Sequence, residues 1–117
     1  MPEYLPRVYV EFTERFPEIA EAQGALARKI RERCPFDHKT DRLITFALAV
    51  GAQADGAVRS NVRKALEHGA TIDELRAIAL AAITTCGFPT AIAALRWIDE
   101  VIGASDAPGG HPSPDMP

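Results

Sequence analysis

Three arginines, Arg42, Arg59 and Arg63, and two cysteines, Cys34 and Cys86, are the side chains of this sequence best suited to chemistry. Guanidinium groups bind carboxylates through paired hydrogen bonds, so an arginine cluster could hold an organic acid. Arg59, Arg63 and Glu67 also repeat every four residues, which equally fits a solvated helix face with an Arg63–Glu67 pair. Cys86 closes an apolar stripe, where a thiol is either a small buried hydrophobe or, if exposed, a nucleophile. Cys34, beside Pro35, carries the same two readings. The two cysteines form no CxxC, so neither a zinc site nor a disulfide framework is suggested. No carboxylate or histidine cluster has metal-ligand spacing along the chain, so no metal is expected, and no motif calls for a cofactor. His68 is accounted for by a helix C-terminus, where the dipole favours positive charge, and His38 is expected on the surface.

These side chains must be positioned by helices, because no alternation of β-branched residues is long enough to force a strand. Pro6 and Pro17 bracket a first helix, Arg7 to Phe16. Pro17 then opens a second, since its missing N–H is not needed in a first turn. Ile19, Ala22, Leu26 and Ile30 carry that helix to Arg33, and Cys34-Pro35 ends it. A third helix follows the candidate N-cap Asp37 and runs from His38 to Gln53. Its middle, Leu43 to Val50, is apolar on nearly every face, which places it at the centre of a bundle.

From Ala57 to His68 the stripe Val58, Val62, Ala65 and Leu66 predicts a fourth helix, stopped by Gly69. Thr71 and Glu74 form a capping box for a fifth, with Ile72, Leu75, Ile78, Ala79, Ala82, Ile83 and Cys86 on one face. Pro89 opens a sixth helix through Ile102. Residues 1–102 are read as one domain and 103–117, rich in proline and glycine, as a flexible tail.

Composition narrows the class further. Thirteen Lys and Arg against sixteen Asp and Glu give a net charge of −3, which argues against a nucleic-acid partner. The longest mostly apolar run, Leu43 to Ala52, is about half of the ~20 residues a membrane span requires. No basic segment precedes an apolar stretch near Met1, so the expectation is a cytoplasmic protein with reduced thiols and no membrane partner. A chain of 117 residues with alanine-lined helices has a thin core of its own, so self-association is expected to bury part of the remaining apolar surface.

The segment from Asp37 to Ile102 resembles the carboxymuconolactone decarboxylase family and its relatives, the alkyl hydroperoxidase D-like (AhpD-like) proteins. The resemblance rests on Asp37-His38-Lys39-Thr40-Asp41-Arg42-Leu43-Ile44, on Ala65-Leu66-Glu67-His68-Gly69-Ala70-Thr71-Ile72-Asp73-Glu74-Leu75, and on Cys86-Gly87-Phe88-Pro89-Thr90-Ala91 followed by Ala94-Leu95-Arg96. It implies an all-α, AhpD-like helical bundle assembled as trimers or hexamers. It also implies where functional groups belong. The peroxidase branch places the two cysteines of its CxxC where this chain has Ala54 and Ala57, its histidine at Asn61 and its proton-relay glutamate at Arg42. Alanine supplies no thiolate, which argues against that mechanism.

The decarboxylase branch also has a histidine at the position of Asn61, and asparagine cannot shuttle a proton near neutral pH. The resemblance therefore implies a protein that binds or decarboxylates a small organic acid or lactone. Arg42, Asn61 and Cys86 are its candidate catalytic residues, with Arg59, Arg63, Phe88 and Pro89 as candidate substrate contacts. In that reading an arginine holds the carboxylate, Asn61 orients a carbonyl, and burial favours loss of charge as CO2. The alternatives are a peroxidase working through Cys86 or Cys34, and a non-catalytic oligomeric binding protein. Asn61 satisfied by backbone, and Phe88, Pro89 and Trp97 as core or subunit contacts, are the competing structural roles.

Overall fold

A computed structural model describes residues 7–106. Six α-helices account for the regular structure among the described residues: α1 (Arg7–Arg15), α2 (Pro17–Arg33), α3 (His38–Gly51), α4 (Asp55–Glu67), α5 (Ile72–Cys86) and α6 (Phe88–Asp106), with no strand. The sequence expectation of an all-α fold holds, with helix ends matching or displaced by at most four residues. The largest displacement is in α6, which continues to Asp106 where Ile102 was the expected end. The rest of the expected tail, 107–117, lies outside the described residues.

Contacts divide the chain into two compact units, Met1–Asp37 and His38–Pro117. In the first, α1 packs on α2 and the joint is made by sequence. The Phe16 N–H donates to the Phe12 carbonyl and the two rings lie 5.6 Å apart, while Pro17 begins α2 in the first turn, where no donor is lost. At the far end the Cys34 N–H closes on the Arg31 carbonyl in extended backbone before Pro35. Neither helix contains a buried residue.

The second unit carries the core. α3 packs mainly on α4 and α5 on α6, with further contacts of α4 with α6 and α3 with α5. The completely enclosed large side chains are Phe46 and Val50 of α3, Val58 and Val62 of α4, Leu75 of α5, and Ile98 and Val101 of α6. Between them lie Ala49, Ala65, Ala79, Ala82, Ala91 and Ala94, whose short side chains let the helices close up. Ile44 and Leu48 correct the expectation that α3 is central: Leu48 is 69 % exposed, so only one side of this helix is covered in a single copy.

The turns follow local chemistry. After α4 the chain turns at Gly69, with φ of 95°, while the Ala70 N–H donates to the Ala65 carbonyl; glycine takes this left-handed backbone without a steric penalty. α5 starts with the expected capping box: the Glu74 N–H donates to Thr71 Oγ1 (3.0 Å), and the Thr71 N–H donates to Glu74 Oε1 (2.9 Å). Lys39 Nζ stands 2.9 Å from Glu74 Oε2 and ties the start of α3 to the start of α5.

The Lys39 ammonium hydrogen-bonded to Glu74, together with the Thr71 N–H, holds the Glu74 carboxyl below its ordinary value. A depressed carboxyl stabilises the fold above its unfolded pKa, and that contribution is lost as pH falls through the lower folded value. Glu74→Gln is therefore expected to flatten the acid side of the stability–pH curve, measured by thermal unfolding. Thr71→Ala, which removes the cap oxygen, is expected to cost about 1 kcal/mol.

Candidate functional site

α3 and α5 run side by side in the same direction. Lys39 meets Glu74 near their starts, and near their ends a Cβ at Gly51 would lie 3.8 Å from Cys86 Sγ. Between them is a groove of about 270 Å³ lined by Ala47, Val50, Ile78, Ala81, Ala82, Thr85 and Cys86. The lining is apolar apart from the Thr85 hydroxyl and the Cys86 thiol. Cys86 is exposed, which corrects the reading of this residue as a buried hydrophobe. It is the last residue of α5, and its neighbour across the groove is a glycine with no side chain to cover it. Both cysteines are free thiols, and Cys34 is half-buried in the other unit.

Of the candidate residues, Cys86 alone lines this groove. Asn61 is 8 % exposed, and its Nδ2 donates to the Ala57 carbonyl one turn earlier at 2.9 Å. Its amide is thus held by its own helix, as the competing structural reading expected. Arg59 is committed as well. Its Nε donates to Glu100 Oε1 at 3.1 Å, its Nη1 lies 3.4 Å from Asp55 Oδ2, and the guanidinium sits 5.8 Å from the centre of the Trp97 ring. This cluster joins α4 to α6, and Arg76 Nη2 with Asp99 Oδ1 (3.0 Å) joins α5 to the same helix.

Arg63 also has an interaction partner. Arg42 is half-buried on α3 and makes no ion pair among the described residues. Phe88 and Pro89 are exposed at the start of α6, Phe88 by 59 %, so neither belongs to a closed cage in a single copy. The groove between α3 and α5 brings none of Arg42, Arg59 and Asn61 to Cys86.

Sequence reasoning missed the groove itself. Ala47, Ala81 and Thr85 carry no chemical signal, and their role arises only from the parallel placement of α3 and α5. No helix of the described residues is long and apolar enough to cross a membrane.

An all-α arrangement with a capping box at Thr71 and a Gly-Phe-Pro opening to the last helix defines a class of helical-bundle proteins, and comparison identifies which one. The sequence profile of the carboxymuconolactone decarboxylase family matches residues 17–100, and the chain belongs to that family. It is also 30 % identical over 104 residues to an uncharacterized protein of Methanocaldococcus jannaschii, covering 88 % of this chain and 97 % of that protein.

Because Arg59 bridges two helices, Arg59→Met is expected to destabilise the protein. The pairs are partly solvated, so the Arg59–Glu100 coupling should be about 0.5–1 kcal/mol. A double-mutant cycle with Glu100→Gln, read by denaturant unfolding, measures it.

Proposed function

We propose that this chain is a ligand-binding member of the carboxymuconolactone decarboxylase family that seats the apolar body of a small organic acid or lactone between α3 and α5. The groove lined by Ala47, Val50, Ile78, Ala81, Ala82, Thr85 and Cys86 is the observation that carries this reading. Its walls suit a hydrocarbon body, with the Thr85 hydroxyl available to a carbonyl. Binding is favoured over turnover by the residues that stand where relatives carry their chemistry. Asn61 is neutral and bonded to Ala57, Arg59 is held by Asp55 and Glu100, and alanine occupies positions 54 and 57. Decarboxylation would need another group or water to deliver the proton.

Muconolactone and β-keto acids are expected to raise the melting temperature of the purified protein. Occupancy at about 100 times Kd contributes about 2.7 kcal/mol, a shift of several degrees. Ala81→Phe, which fills the groove from its exposed edge, should abolish the shift. A panel giving neither a shift nor turnover would remove support for the reading.

The exposed thiol of Cys86 favours a second reading, peroxide reduction that does not depend on a CxxC. Peroxide consumption that disappears in Cys86→Ser while the ligand shift remains would select it. Two thiols that stay unreactive to a probe below about pH 8 would end it.

The same proposal includes a homo-oligomer working in a reducing, cytoplasmic setting. Ile44, Leu48, Leu80, Phe88 and Ile92 are large apolar side chains that one copy leaves in water, more than a thin core can offset. Light scattering should report a mass above 12.7 kDa, and Leu48→Glu should lower it.

A further inference from the structure

We propose that His38 and His68 form a two-histidine site for a first-row divalent cation of the Zn2+ or Cu2+ kind. Spacing along the sequence hides this pair, because thirty positions separate the two residues. The fold brings them together: His38 is the first residue of α3 and His68 caps the end of α4, and their ring centres lie 5.9 Å apart at a 40° tilt. The rings form a tilted pair, and both are exposed.

The second observation is the fixed tautomer of His68. Its Nδ1 lies 2.8 Å from the Lys64 carbonyl oxygen. A carbonyl oxygen only accepts, so Nδ1 carries the hydrogen and a neutral ring presents the lone pair of Nε2 outward. A ring N–H given to a backbone carbonyl is the arrangement that orients metal-ligating histidines. The backbone beneath is held too, since the His68 N–H donates to the Lys64 and Ala65 carbonyls.

Distance is consistent with a shared ion. With metal–nitrogen bonds of about 2.0–2.1 Å, each ring centre stands about 3.2 Å from the metal, and two rings at a tetrahedral angle stand about 5 Å apart. The exposed His38 imidazole closes the remaining gap by rotation about its side-chain bonds, while His68 stays on the Lys64 carbonyl. Water completes the coordination, and Lys39, the cation next to His38 in sequence, is neutralised by Glu74 at 2.9 Å. Two imidazoles suit zinc and copper better than the hard cations magnesium and calcium.

Titration of the tag-free full chain with CuCl2 or ZnCl2 by calorimetry tests the site. One ion per chain is expected, with the Cu2+ electron paramagnetic resonance spectrum showing coupling to two imidazole nitrogens. His38→Gln and His68→Gln should each weaken binding by about tenfold or more. His111→Ala and the Cys34→Ser/Cys86→Ser double variant should leave it unchanged. Binding that survives both glutamine variants, that is lost with the cysteines, or that appears only as metal-linked pairs of chains would overturn the proposal. Circular dichroism on each variant separates lost ligation from lost fold.

Discussion

The close approach of alanine-lined helices is the constraint on which the rest of the second unit depends. Ala79 and Ala82 of α5 and Ala91 and Ala94 of α6 are buried in one cluster with the larger Leu75 and Ile98, and α5 packs mainly on α6. Short side chains permit many dispersion contacts between backbones but remove little apolar area each. The unit therefore has few large enclosed residues, and the polar ties at its periphery gain importance. α6 receives two of them, from Arg59 on one side and Arg76 on the other.

The same packing shapes the groove. α3 and α5 share a direction because α4 and its turns return the chain between them, and small residues at Ala47, Ala81 and Ala82 leave their adjoining walls low. A larger residue at any of these places would close the space. Asn61 holds an amide turned back on its own helix, and the exposed thiol of Cys86 lies on another helix altogether. A ligand in the groove would meet Thr85 and Cys86, not Asn61.

Much of the fold was legible in the sequence, where a local rule decides alone. Thr71 and Glu74 needed only each other to announce the start of α5, and Gly69 and Pro17 marked boundaries by their own backbone limits. The family, too, was readable from these signals and the Gly-Phe-Pro that follows Cys86. What failed depended on neighbours. Cys86 continues the periodicity of the core face, yet the residue across from it is Gly51, so periodicity gave the wrong side. α3 is apolar all round, but hydrophobicity says how much must be covered and not whether this copy of the chain covers it. The candidate site was the least legible, because Arg59, which looks free in sequence, finds Asp55 and Glu100 only once helices are placed.

The absence of any buried residue in α1 and α2 has a consequence for how the chain opens. Amide hydrogen exchange reports the free energy of local unfolding, and segments that bury little open without waiting for global unfolding. The amides of Arg7–Arg15 and Pro17–Arg33 should thus exchange through local fraying in a single copy, while those around Phe46, Val62 and Ile98 exchange only when the second unit melts. The two units would then differ in lifetime, the α1–α2 pair opening sooner than the helices of the second unit.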